Sequence, residues 1–177
     1  MSNTILYESL GWKGLLIEPG PAALGIASKH RKAWVFHGAL SPTGKSSTFG
    51  LTLEGPFSHY DASAAVKVRA EPLRKILAAV EPSVKRVDFW SLDIEGSECD
   101  VLTSTDFEKL QVGILLIEMN KSDENNRCIK QVMEQNGFRD LGSTHDKHGG
   151  VLDHAFINEA YAKELNLTIP EMISGLY

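Results

Sequence analysis

Val87-Asp88-Phe89-Trp90-Ser91-Leu92-Asp93-Ile94-Glu95-Gly96-Ser97-Glu98 holds the most structural information of any run in the chain. Apolar, β-branched and aromatic residues lead to an acid, then to a glycine, then to helix formers. The pattern predicts a strand over 86–94 and a helix over 97–103. Gly96 permits a tight turn between them. If the chain stays extended, side-chain alternation points Asp93 and Glu95 the same way. Two carboxylates that close interact, so one can acquire a raised pKa suited to proton transfer. The pair can also hold a divalent cation. The plainer reading is that one of the two acids caps the helix.

The same arrangement recurs on both sides of this run. Residues 14–18 read Gly-Leu-Leu-Ile-Glu, and residues 112–118 form an apolar run ending in Glu118. Such runs read as strands buried on both faces of a sheet. Further strands are expected at 34–40, 49–53, 65–68, 138–141 and 152–157, with a loop over 54–63. Helices are expected at 4–10, at 21–29, and after Pro72, where Leu73, Ile76, Leu77 and Val80 repeat at helical spacing. Another begins at Ser122, with Asp123 and Glu124 in its first turn, and closes at Gly137. A short one covers 159–165. Alternation of this kind predicts an α/β fold: a mostly parallel sheet, with the last two strands as an antiparallel pair at one edge. In an open parallel sheet, ligands bind beyond the carboxyl ends of the strands, where Glu18, Asp93, Glu95 and Glu118 fall.

The chain has 177 residues, which suits one domain over 1–177. Lys plus Arg is 18 against 23 Asp plus Glu, a net charge of -5 without a basic stripe. That argues against duplex nucleic acid or anionic lipid as partner. No apolar run approaches the ~20 residues of a membrane helix, and the first residues do not form a secretory signal. The cytoplasm is therefore the expected location. Cys99 and Cys128 have no metal-ligand spacing and read as small apolar helix residues in a reducing compartment. No histidine pair has the spacing of a helical zinc site, and no metal is expected at His145, Asp146 and His148, which read as solvated loop residues. His154, in a late strand, is a candidate base or a satisfied structural histidine.

Several blocks taken together resemble the FkbM-type methyltransferases. They are Ser2-Asn3-Thr4, Leu10-Gly11-Trp12-Lys13-Gly14-Leu15-Leu16-Ile17-Glu18-Pro19, the whole run from Val87 to Glu98, Leu116-Ile117-Glu118 and Gly150-Val151-Leu152-Asp153-His154. The resemblance implies a Rossmann-like class I methyltransferase fold. It also implies S-adenosylmethionine as cofactor and methylation of an oxygen on a sugar or small molecule. On that likeness Glu18 holds the cofactor ribose, and Ala39 and Leu40 line the adenine. Asp93 and Glu95 border the methionine end and the acceptor. In an in-line transfer to a hydroxyl, Asp93, Glu95 or His154 would orient that hydroxyl or remove its proton. Members of the family carry a first strand and an Asp-x-Gly-Ala-x-x-Gly loop ahead of the Ser-Asn-Thr. Met1 falls where that loop would have ended, so the reading is of an N-terminally truncated copy. The strands at 14–18 and 86–94 then either pair directly or flank a gap of about 9.6 Å.

Two other readings compete. A catalytically inactive, methyltransferase-like binding or scaffold module follows from the missing loop. A dinucleotide-dependent oxidoreductase follows from the acid after a strand, but no Gly-x-Gly-x-x-Gly accompanies it.

Overall fold

Apolar β-branched runs separated by Pro, Gly and Ser set the element boundaries, and the computed structural model places a strand or helix at nearly every predicted position. It describes residues 4–54, 57–60, 64, 66–119, 122–145 and 150–170. The chain divides into two compact units, Met1–Ser83 and Val84–Tyr177.

The first unit begins with α1 (Ile5–Ser9), β1 (Leu15–Glu18), α2 (Pro21–His30) and β2 (Trp34–His37). Pro21 opens α2, where its missing N–H costs nothing. β1 and β2 pair in parallel, from Leu15 opposite Trp34 to Glu18 opposite His37. Arg31 donates to Glu8 Oε1 at 2.6 Å and to Thr4 Oγ1 at 2.8 Å, tying α1 to the entry of β2. Burial raises the Glu8 pKa, but the Arg31 hydrogen bond, the Lys32 N–H and the Arg31 charge outweigh it and hold the carboxyl below its ordinary range.

A second sheet follows, built from β3 (Ala39–Leu40), β4 (Ser47–Glu54), β5 (Phe57–Tyr60) and β6 (Val66–Glu71) in the order β3-β6-β4-β5. α3 (Leu73–Val80) closes the unit and buries Ile76 and Leu77. Ala39, Val68 and Ala70 form a small core with Phe49 against it. Two expectations change here. The strand expected over 34–40 is broken at Gly38, where a Cβ would lie 2.5 Å from the Arg69 carbonyl oxygen and 2.5 Å from the Phe36 ring. The loop expected over 54–63 contains β5, paired antiparallel to β4.

The second unit comprises β7 (Arg86–Leu92), α4 (Glu98–Thr103), β8 (Gln111–Glu118), α5 (Asp123–Gln135), β9 (Phe138–His145), β10 (Val151–Asn158) and α6 (Glu159–Glu164). The strand order is β7-β8-β10-β9. β7 and β8 are parallel and joined through α4, whereas β10 runs antiparallel to both β8 and β9. The expected antiparallel C-terminal pair is present, with β9 at the edge. Leu102, Leu115, Ile117, Ile129 and Met133 are fully buried, with Phe156 beside them at 1% exposure.

The fold is α/β, but the sheets are mixed rather than mostly parallel. Among the described residues, β1–β2, β3–β6 and β7–β8 are parallel, whereas β4–β5, β4–β6, β8–β10 and β9–β10 are antiparallel. β1 belongs to the two-stranded sheet with β2, and β7 to the sheet β7-β8-β10-β9. β1 is also only half-buried along its length, not covered on both faces. An apolar run records what a strand can bury and not which neighbours cover it.

The cysteine reading is overturned. Cys99 on α4 and Cys128 on α5 form a disulfide across a Cα–Cα distance of 5.9 Å. The two residues are 29 positions apart in sequence, and only the side-by-side packing of the helices brings them together. They therefore lend no support to a reducing compartment.

Candidate active site

The acidic turn after β7 is built differently from the extended arrangement expected. β7 ends at Leu92, opposite Ile117 of β8. Glu95 has φ 60° and Gly96 φ 109°, so two successive left-handed residues reverse the chain into α4. The turn still brings the acids together: Asp93, Glu95 and Glu118 each offer a carboxylate oxygen within 4.8 Å of the others. Among the described residues this is the group that could hold a metal ion. Asp153 of β10 lies directly opposite Glu118. Burial, followed by the charge of Glu118, pushes the Asp153 pKa above the usual aspartate range.

Glu98, in the first turn of α4, is fully buried. Its Oε1 accepts the N–H of Ile94 at 3.1 Å and of Gly96 at 3.0 Å. Its Oε2 accepts from Asn125 Nδ2 at 3.1 Å. Sequence reading missed this pair. An acid in a first helical turn reads as a solvated dipole partner, and no periodicity marks it as interior.

His154 lies elsewhere. It stands opposite Ile117, and its neighbour Asp153 stands opposite Glu118, so His154 projects from the other face of β10. There His154 Nδ1 is 3.4 Å from Asp140 Oδ1, while Lys130 Nζ is 3.3 Å from Asp140 Oδ2. The Gly142 N–H donates to Asp140 Oδ1 at 2.8 Å. Burial raises the Asp140 pKa, but this N–H, His154 and Lys130 prevail and hold it below the ordinary value. Phe156 stacks on the imidazole with a centroid separation of 6.2 Å. A groove of about 270 Å³ runs beside this network, between Met133, Glu134 and Lys130 of α5 and Phe138, Asp140 and Phe156 of the sheet.

In the first unit, Glu18 ends β1, and its Oε1 accepts the Gly20 N–H at 2.7 Å. That bond shapes the turn into α2 and leaves Oε2 as a second acceptor oxygen. Ala39 and Leu40 are both buried on β3, at 6% and 4% exposure. His145 ends β9, with Nε2 3.5 Å from Ser143 Oγ. Asp146 and His148 lie outside the described residues, as do Ser2 and Asn3.

Among the described residues, no helix is long and apolar enough to cross a membrane. No curated protein and no solved structure matches the chain. The residue pattern of the Methyltransferase FkbM domain matches residues 1–139, a span that takes in the acidic turn, Glu98, Glu118 and Asn125 and stops short of β10. All the blocks that suggested a methyltransferase except Gly150–His154 thus lie within a matched stretch of well over half the chain, and the protein belongs to the FkbM methyltransferase domain family.

Proposed function

We propose that this protein methylates an oxygen of a small molecule or sugar, with S-adenosylmethionine as methyl donor. The observation that carries the reading is the convergence of Asp93, Glu95 and Glu118 within 4.8 Å. Three clustered carboxylates create a strongly negative locus, which favours a cationic ligand. S-adenosylmethionine carries a sulfonium and an ammonium, so its charge fits that donor set. Glu18 fits the ribose, because a carboxylate accepts from neighbouring hydroxyls. The buried, apolar Ala39 and Leu40 fit the adenine.

The bound cofactor would supply an electrophilic methyl group on sulfur. The protein's part is to hold the acceptor hydroxyl in line and to accept its proton. We assign proton acceptance to Asp93 and Glu95. His154 faces the other side of β10, where Asp140 holds it, and we leave it out of the chemistry.

Calorimetric titration of the full chain with S-adenosylmethionine tests this proposal. Saturable heat is expected, weakened by Glu18→Ala and by Asp93→Asn. An absence of heat at millimolar cofactor overturns it in favour of a non-catalytic binding module.

A further inference from the structure

Glu98 holds the acidic turn from the protein interior. Glu98 is fully buried, and its carboxylate is bound on both oxygens. Oε1 takes the N–H groups of Ile94 and Gly96, the residues on either side of Glu95. Glu95 needs such support, because its φ of 60° is unfavourable for a residue with a Cβ. Strained backbone of this kind persists only where its surroundings hold it. Oε2 reaches across to Asn125 in the first turn of α5. The Asn125 N–H is itself bound to Ser122 Oγ at 3.1 Å, so the anchor sits at a capped helix end. A packing role alone would be met by an apolar side chain, and burying a carboxylate is costly unless its hydrogen bonds are met.

The geometry points to Glu98 as the positioning residue of the acidic turn, with Asn125 as its anchor on α5. Together they fix the left-handed step at Glu95 that brings Asp93 and Glu95 beside Glu118. The functional weight of this arrangement rests on the reading of the acidic turn as the chemical centre, whereas the structural claim can be tested separately.

The test is amide hydrogen exchange by NMR on the full chain, paired with calorimetric titration of S-adenosylmethionine. Asn125→Asp sets carboxylate against carboxylate. It should speed exchange of the Ile94 and Gly96 amides by about tenfold or more, the equivalent of losing one hydrogen bond. The Leu115 and Ile117 amides of β8 should stay within about twofold of the parent. Cofactor affinity should fall by about tenfold. Adding Glu98→Gln restores a donor facing the new carboxylate and keeps an acceptor for both N–H groups. The double variant should return exchange and affinity to within about threefold. A single variant that unfolds and a double that folds also support the assignment. Unchanged exchange at Ile94 and Gly96 in Asn125→Asp overturns it, and so does a double variant no better than the single, folded or not. A parent chain that gives no binding heat sinks the methyl-transfer reading alone, because the exchange comparison still decides the role of Glu98.

Discussion

Glu71 shows how much one side chain can hold. It is 3% exposed at the end of β6, opposite Leu40 of β3, and its backbone carbonyl accepts the Ser41 N–H at 2.9 Å. Its carboxylate accepts from the Ser46 hydroxyl, and it pairs with Lys75 at 3.0 Å and with Arg69 at 2.5 Å. Ser46 first, then Lys75, lower its pKa from 4.5 to about 2 against the opposing effect of burial, with Arg69 adding to the shift. A depressed carboxylate pKa contributes stability that is fully present above the unfolded value and fades as pH falls through the folded one. The first unit should therefore lose stability between pH 4.5 and about 2. Thermal melts across that window should show a steep acid dependence in the parent and a flatter one in Glu71→Gln. The network could not be read from the sequence, where Glu71 is one more acid before a proline.

α4 and α5 form a joined pair above the β7-β8-β10-β9 sheet. Cys99 lies next to Glu98, and Cys128 lies three residues after Asn125, so the disulfide spans the same helices as the Glu98–Asn125 bond. Closing a loop across a sequence separation of 29 stabilises by about 3–4 kcal/mol in the chain-entropy account. Reduction, or Cys99→Ser with Cys128→Ser, should lower the stability of the second unit by about that amount. Denaturant melts with and without reductant check this. A midpoint unmoved by reductant would show that the bridge adds nothing.

The two units differ in how fully they bury their elements. From Thr4 to His37 every described residue with a burial assignment is half-buried or exposed, and Ile5, Leu6, Leu10 and Ile26 are each more than half exposed. In β8, by contrast, Leu115 and Ile117 are fully buried. Local opening follows contact density and burial. Amides of β1 and β2 should therefore exchange well ahead of those in β8, at least about tenfold faster under native conditions. Equal protection in the two sheets would contradict this.

Local chemistry along the chain was enough to place most elements and the acids at strand ends. Strand and helix periods, Pro21 and Pro72 at helix starts, Ser122 as a cap and Gly96 at a turn are all properties of a few neighbouring residues. The family likeness was legible for the same reason, since it rests on short blocks such as 93–98. The antiparallel strands outside the C-terminal pair, the Cys99–Cys128 bridge, the burial of Glu98 and the separation of His154 from Glu118 were not legible. Each depends on which distant segments lie side by side, and alternation within one strand carries no record of its neighbour. A pairing between residues about 30 positions apart is chosen by the packing of whole elements around a shared core, which no local window contains.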